Sequence, residues 1–405
     1  MDTKATQDFC ERVAAASKRA VDHGILAWMD ERHPREAKAF FHAVQTYTKR
    51  GVKLDEPALH ALFVTYQGWQ AFRPGGLVTK YVKTADYARF TGQERAVLER
   101  YEMAPWSFRL LHVVAAHSHD MLTVLDVLSG EEIPLYSKGI SEGHAESGPR
   151  LWMVLVSHNG RCAQTYGALM SFPAYDVEDF YYFGSELGVS LDGPAALSRL
   201  INRQPIPFLM LYMVSDIPRV RLGGEVDFVW QQSVDAIEDF AVSQLEPRFT
   251  MAWNRNVFRA VPAPVAGTDW GAFPHKAQAY FNERSGELLR IAQTEAGFEA
   301  LTAALADCGI VLDDLSEVAV SMGMVVAATR VTGKKFRLDP YESLFEVKQP
   351  NSSGLDVVNK ALRLMMDHVN AGTVPDFEAV ARETGLDVDE CERIYRQILG
   401  ILDRH

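Results

Sequence analysis

Cysteine is scarce in this chain of 405 residues. Its four cysteines, Cys10, Cys162, Cys308 and Cys391, lie far apart and form no Cys-x-x-Cys pair. This spacing argues against both a zinc finger and a disulfide framework. We therefore expect reduced and mostly buried thiols, as in a cytoplasmic protein.

Long apolar runs are also missing. The longest, Ile206 to Val214, has nine residues, whereas a helix that crosses a bilayer needs about 20. We predict that this run is a strand buried on both faces. Residues 1 to 12 are polar and mixed in charge, so we expect no secretory signal, no membrane partner and a cytoplasmic location.

Positive charge is in deficit, since 41 Lys and Arg stand against 53 Asp and Glu, a formal net charge of −12. An acidic surface repels phosphate backbones, so binding to nucleic acid is not expected. Glycine-rich phosphate loops are lacking too, because Gly75-Gly76 and Gly223-Gly224 have none of the flanking residues of such loops.

The residues that are present have the balance of a globular protein, with 47% hydrophobic and 23% charged residues. Helical periodicity dominates the start of the chain, and short strands separated by turns such as Asn159-Gly160 follow. The sequence predicts an α+β multidomain protein. Its four predicted regions are a helical N-terminal region over 1–104, a small antiparallel β meander or barrel over 105–175, a mixed α+β region over 176–349 and a three-helix C-terminal tail over 354–405, after a linker at 349–354.

The densest set of potential metal ligands is His117-Ser118-His119-Asp120. On a strand, His117 and His119 would point to the same side, and a His-x-His pair can share a metal ion. His144 would approach from a neighbouring segment. The alternative is an ordinary polar turn between two strands, because no second motif at a fixed spacing supports the metal site.

Gly139-Ile140-Ser141-Glu142-Gly143 matches the G-x-S-x-G pattern of hydrolases. A nucleophile elbow requires a strand before the serine and a helix after it. Because the residues that follow, His144-Ala145-Glu146-Ser147-Gly148-Pro149, disfavour a helix, we predict a flexible hairpin connection between two barrel strands instead.

The tail has the spacing of a helix-turn-helix, with Ala381, Gly385, Cys391 and Ile394 at its small, turn and core positions. From Asp376 to Glu392, however, seven acidic residues face one arginine. Carboxylates on a recognition helix would be repelled by DNA phosphates, so we expect the tail to pack as a three-helix cap.

One stretch resembles a known family. Tyr101-Glu102-Met103-Ala104-Pro105-Trp106-Ser107-Phe108, followed by Val113 and by Leu122 to Glu132, is similar to uncharacterised bacterial proteins associated with the SEC-C zinc motif. The resemblance covers residues 59 to 172 and implies a helical segment leading into a β hairpin. This chain lacks the C-terminal Cys-x-Cys cluster, so the resemblance implies no zinc site here.

Taken together, these patterns favour a non-catalytic interaction or regulatory protein with a protein partner and no cofactor, because paired motifs for a nucleophile, a metal or a phosphate are missing. The alternative is a metal-dependent hydrolase that holds a divalent ion with His117, His119, Asp120 and His144. The sequence leaves the oligomeric state open.

Overall fold

The structure is a computed structural model, and it describes most of the chain. The described residues are 3–118, 120–189, 191–217, 219–222, 226–237, 242–245, 248–312, 317–334, 339–345, 360–361, 364–365, 368, 373–389, 391–392 and 395–396. They fall into two compact units, Met1–Tyr341 and Glu342–His405. Helices and antiparallel sheets are both extensive, which confirms the α+β class.

Helices dominate the first hundred residues, as predicted. Asp55 caps the fourth helix through the amide of Ala58, and Thr91 and Glu94 form the predicted capping box. A π-helical turn at Val21–Leu26 follows the first helix. The helices are α1 (Thr3–Ala20), α2 (Ala27–Arg32), α3 (Pro34–Thr48), α4 (Glu56–Phe72), α5 (Val78–Tyr81) and α6 (Gly92–Met103).

Five strands then close into a barrel. They are β1 (Ser107–Ala116), β2 (Met121–Asp126), β3 (Glu131–Tyr136), β4 (Leu151–His158) and β5 (Ala163–Phe172), in the order β1-β2-β3-β5-β4. Gly160 has a φ of +97° in the predicted Asn-Gly turn. The predicted meander is antiparallel apart from one short parallel pairing, of β3 with β5, and this pairing closes the barrel.

Helix α7 (Lys138–Ser147) stands where the sequence predicted a flexible connection, so that prediction was wrong. Ser137 caps the helix, and its glycines allow close packing. A Cβ atom on Gly143 would lie 2.8 Å from Trp152 of the barrel, and one on Gly139 would meet Leu169. Ser141 lies inside the helix, away from the strand-to-helix junction of a nucleophile elbow.

The predicted buried strand from Ile206 to Val214 is instead a helix, α10 (Pro205–Tyr212). It is preceded by α8 (Val177–Glu186) and α9 (Pro194–Arg203). Pro205 and Pro207 fall in its first turn, where the missing N–H groups break no intrahelical bond. A proline inside a central strand would remove one backbone hydrogen bond between strands. Pro207 is therefore the residue in this run that argues against a strand. The core side chains of α10 join those of α3, α4 and the barrel in one hydrophobic cluster.

A six-stranded antiparallel sheet follows, in the order β13-β8-β12-β11-β10-β9. A short two-stranded hairpin precedes it, with β6 (Arg221–Leu222) and β7 (Val226–Asp227). The strands of the sheet are β8 (Val229–Ala236), β9 (Phe249–Asn254), β10 (Val257–Pro262), β11 (Gln278–Asn282), β12 (Glu287–Ala292) and β13 (Val318–Ser321). Helix α11 (Glu295–Asp307) packs on one face, and α12 (Met322–Thr332) continues directly from β13.

Two of the four cysteines are paired, which corrects the expectation of four reduced thiols. Cys10 of α1 and Cys162 after β4 form a disulfide across 152 residues. The Asn159 side chain donates to both sulfur atoms. Their proximity arises from packing of α1 on the β4–β5 loop, which sequence spacing does not reveal. Cys308 and Cys391 are not part of this disulfide.

The second unit includes α13 (Glu342–Phe345) and α14 (Phe377–Thr384), which ends at Gly385 with φ +80°. Apolar residues from the three predicted tail helices meet in one cluster: Ala361, Met365, Val380, Ala381, Cys391 and Tyr395. The three-helix cap itself stays a prediction, because much of its first and third helices lies outside the described residues. The predicted linker at 349–354 lies outside the described residues.

Candidate functional site

The structure describes three of the four residues that the sequence proposed as metal ligands. His117 is exposed just after β1, and its Nε2 atom lies 2.7 Å from Oγ1 of Thr123. Asp120 lies in the β1–β2 turn, where its carbonyl accepts the amide of Ser137. His144 lies on α7, and its buried Nδ1 atom has no hydrogen-bond partner among the described residues. His119 lies outside the described residues.

No three His, Cys, Asp or Glu side chains within the described part of the chain are arranged to hold a metal ion. Because His119 is not among them, the metal site at His117 to Asp120 stays a prediction. The described geometry gives it no further support.

A cavity of about 400 Å³ lies between the N-terminus of α8, the N-terminus of α11 and the strands β8 and β13. We call it the acidic pocket. Its charged lining residues are Asp176, Glu178, Asp179, Asp227, Glu295 and Arg219. Five carboxylates against one guanidinium make a site for positive charge.

Asp179 is the most deeply placed of these carboxylates, with 2% of its surface exposed. It is held there because it completes a capping box with Asp176 at the start of α8. Its Oδ2 accepts the amide of Asp176 at 3.1 Å, and its Oδ1 accepts the amide of Ser321 at 2.8 Å. Burial, and then the charge of Asp176, raise the pKa of Asp179 to about 7 against the opposing effect of these hydrogen bonds.

Glu178 stands beside Asp179 and is exposed to solvent. Its Oε2 atom accepts the amide of Ala319 on the edge strand β13 at 3.0 Å. Partial burial of its carboxyl group raises the pKa of Glu178, and the hydrogen bond from Ala319 opposes this shift. The charges of Asp176 and Glu295 act in the same direction as burial. A carboxylate that lies among other carboxylates binds a cation favourably, because the cation relieves their repulsion.

Two arginines of the chain already contact carboxylates of the acidic pocket. Nη2 of Arg219 lies 3.6 Å from Oδ2 of Asp176, and its Nε donates to the carbonyl of Ala174 at 3.3 Å. Arg221 binds both carboxylate oxygens of Asp227, at 2.5 and 3.3 Å. The latter is the two-point geometry by which a guanidinium matches a carboxylate.

Sequence reasoning missed this pocket because its residues come from four separate segments, near positions 176, 227, 295 and 320. The only local signal is Asp176 with Asp179, three residues apart, which predicts a helix start and nothing more. A buried acid with a shifted pKa inside a cavity is the property that marks a candidate functional site.

Comparison of the chain with protein-family models, with curated proteins and with solved structures gave no match. The resemblance to SEC-C-associated proteins therefore stays a prediction. Within the described part of the chain, no helix is both long and apolar enough to span a membrane.

Proposed function

We propose that the protein is a non-catalytic interaction or regulatory protein whose acidic pocket binds an arginine side chain of a protein partner. The two-point contact between Arg221 and Asp227 is the observation that carries this proposal. It is an example, within the same chain, of the contact that a partner's arginine would make at the neighbouring carboxylates.

The other carboxylates of the acidic pocket are suited to binding an arginine side chain. Glu178 and Glu295 are exposed and lie on the N-termini of α8 and α11, so both are open to an incoming side chain. Arginine is weakly hydrated and has five donors, which favours it over lysine at a site with several carboxylate oxygens.

Removing the charges of Glu178 and Glu295 is expected to weaken binding of a fluorescein-labelled (Arg-Gly-Ser)₃ peptide. The double variant Glu178→Gln, Glu295→Gln should raise Kd about tenfold, which corresponds to about 1.4 kcal/mol. Fluorescence anisotropy at about 50 mM salt measures Kd under weak screening.

A matched control is available on the barrel. Glu131→Gln with Glu132→Gln removes the same two charges from exposed positions of β3, outside the acidic pocket. We expect less than about a twofold change there, since long-range charge effects are screened. If both double variants raise Kd equally, the effect comes from the net charge of the protein alone, and the proposal is contradicted.

The affinity for this peptide should also rise with pH. Asp179, with a pKa raised to about 7, is mostly neutral at pH 6 and mostly ionised at pH 8, so its negative charge is present only at the higher pH. If ionisation of Asp179 strengthens binding tenfold, Kd at pH 8 should be about one fifth of Kd at pH 6. The arginine side chains of the peptide stay charged over this range, and because fluorescein itself titrates in it, this comparison uses a label whose charge is constant between pH 6 and pH 8.

Asp179→Asn tests the origin of that pH dependence. Its amide oxygen can keep one of the two backbone hydrogen bonds, and its charge is absent at every pH. The ratio of Kd between pH 6 and pH 8 should fall to about one in this variant, with folding checked by circular dichroism. An unchanged ratio would assign the titration to another group.

The expected cytoplasmic location and the absence of nucleic-acid binding are parts of the same proposal. The disulfide between Cys10 and Cys162 weighs against the location, since disulfides are rare in reducing compartments. The acid excess of the sequence supports a protein partner over nucleic acid.

A further inference from the structure

The six-stranded sheet has two edge strands, β13 and β9, and they differ in what binds to them. An edge strand presents backbone N–H and C=O groups that no neighbouring strand binds, and such a row of groups is a template for pairing with another strand. The five-stranded barrel has no edge, because its sheet is closed. A further strand can therefore add to the large sheets only at β13 or at β9.

The β13 edge is occupied by side chains of α8. Two of its amides, those of Ala319 and Ser321, point away from β8 and towards this helix. Oε2 of Glu178 accepts the first at 3.0 Å, and Oδ1 of Asp179 accepts the second at 2.8 Å. Because these carboxylates take the place of a neighbouring strand, the β13 edge is closed.

The β9 edge is open. Successive residues of an antiparallel strand direct their backbone groups to alternate sides. The Ala263 amide donates to the carbonyl of Arg248 at 2.8 Å, so Arg248 and every second residue after it face β10. The backbone groups of Met251 and Trp253 therefore face outward, and in the part of the chain that the structure describes they have no hydrogen-bond partner.

The side chains of β9 do not protect this edge. Soluble proteins protect an edge strand with charged residues, proline or a β-bulge. Strand β9 (Phe249–Asn254) has no charged residue and no proline, and its six residues pair with β10 in one continuous register. Trp253 packs against the ring of Phe258 with centroids 4.9 Å apart, yet 51% of its surface is exposed. An uncharged edge with an exposed indole is a surface that pairs with another strand.

The charge distribution favours a second copy of the chain at this edge. The chain has a net charge of −12, so two copies repel each other over most of their surface. Residues 248–255, in contrast, include two arginines and no acidic residue. Nη2 of Arg248 lies 3.2 Å from Oδ2 of Asp307, which leaves the segment close to neutral. Two acidic chains can therefore approach each other at β9.

The outward backbone groups of β9 are complementary to themselves. In an antiparallel pairing about a two-fold axis at Ala252, Met251 of each copy lies opposite Trp253 of the other. Each of these pairs exchanges two N–H···O bonds, and together they use every outward group of both residues. A register centred on Met251 would place Trp253 opposite Phe249, whose amide already donates to Leu245 at 3.0 Å.

The same register matches the side chains. Met251 and Trp253 lie opposite Ala260 and Phe258, which belong to the core beneath α11. Side chains directly opposite each other on one face of a sheet are in contact, so Met251 of each copy covers the exposed indole of the other. A thioether packs favourably against an aromatic ring. Ala252 lies at the axis, where its small side chain lets the two strands approach closely.

We propose that two copies of the chain pair through β9, antiparallel and centred on Ala252, so that their six-stranded sheets join into one. Such a contact is isologous, because both copies use the same surface, and it closes with two copies. No residue of β9 lines the acidic pocket. The dimer therefore does not depend on the proposed binding of arginine.

Sedimentation velocity of the full-length protein from about 1 to 200 μM tests the pairing, and it should show a reversible dimer with Kd below about 100 μM. Met251→Pro removes an outward amide hydrogen and no bond to β10, and proline is tolerated on that side of an edge strand. Because each copy loses one bond to the other, Kd should rise at least about tenfold.

Ala252→Lys places two like charges opposite each other at the axis, so it should also raise Kd at least about tenfold. Val234→Lys is the matched control. Val234 is 48% exposed and lies in the same row of opposite residues as Ala252, on β8, four strands away. That is about 19 Å from β9, so at about 150 mM salt Kd should change less than about twofold.

Ala252→Cys tests the register. In the proposed pairing the two Cα atoms at the axis are about 4.5 Å apart, within the span of a disulfide. With copper phenanthroline and air as the oxidant, this variant should give a covalent dimer on a non-reducing gel. Thr250→Cys is exposed on the same face, but its two copies lie about 14 Å apart along the strands. It should cross-link no faster than the unsubstituted protein.

Three results would overturn the proposal. One is a single species of monomer mass up to about 200 μM, which would leave the edge to a strand of a different protein. The second is an equal rise in Kd for Ala252→Lys and Val234→Lys. The third is equal cross-linking of Ala252→Cys and Thr250→Cys. If Met251→Pro does not fold, the two variants of Ala252 still decide.

Discussion

Arg290→Met is expected to lower the free energy of unfolding by about 3–5 kcal/mol. Arg290 is on the central strand β12 and is fully buried. Its Nε donates to Ser233 at 2.8 Å and lies 3.3 Å from Oδ2 of Asp235, and its Nη1 donates to Thr302 at 2.7 Å. Its guanidinium also lies 4.9 Å from the ring centre of Phe298.

The large expected loss of stability comes from the negative charge of Asp235, which Arg290→Met leaves without its cation. Asp235 is 8% exposed, and without Arg290 its carboxylate has lost the cation beside it in a low-dielectric interior. Adding Asp235→Asn to Arg290→Met removes that charge, so the double variant should recover about half of the loss. The difference from the sum of the single variants measures the coupling.

Urea unfolding followed by tryptophan fluorescence gives these free energies. Arg284→Met is the control, since Arg284 is exposed in the β11–β12 turn, and it should change stability by less than about 0.5 kcal/mol. A loss below about 1 kcal/mol in Arg290→Met would mean that the buried ion pair contributes little beyond its desolvation cost.

The barrel shows where sequence reasoning succeeds. Apolar runs and turn signals predicted a small β meander or barrel over 105–175, and all five strands of the barrel lie within that range. Both signals are local, because the period of side chains and the conformation of a turn depend on neighbouring residues. The parallel pairing of Leu135 with Ala163, which closes the barrel, is not local and was not predicted.

The two misassigned helices show where local signals conflict with packing. The glycines of α7 disfavour a helix in isolation, by about 1 kcal/mol each. In the fold, Gly139 and Gly143 let α7 lie close to the barrel, and burial of Ile140 offsets that cost. The run that became α10 is apolar on every side, so its periodicity could not distinguish a helix from a strand.

The acidic pocket was not predicted. Its residues come from segments up to about 150 positions apart that meet only through packing. The sequence predictions favoured His117 to Asp120 because its potential ligands are adjacent in the chain. Adjacency of polar residues at a hairpin more often marks a turn.

Gly167→Ala should be the second severe substitution, lowering the free energy of unfolding by about 2–4 kcal/mol. Gly167 is on β5 with φ +76°, where a side chain is strained. An added Cβ would also contact Oγ1 of Thr65 and lie 2.9 Å from its backbone Cα. Thr65 is fully buried on α4, and its Oγ1 accepts the amide of Ala168 at 2.7 Å.

Gly130→Ala separates the cost of backbone strain from the cost of the contact with Thr65. Gly130 has nearly the same φ, +72°, but an added Cβ there would meet no atom within 4 Å. It should cost only the backbone strain, about 1 kcal/mol, so the difference between the two variants in urea unfolding reports the contact with Thr65. Equal losses in both variants would show that β5 can move away from α4.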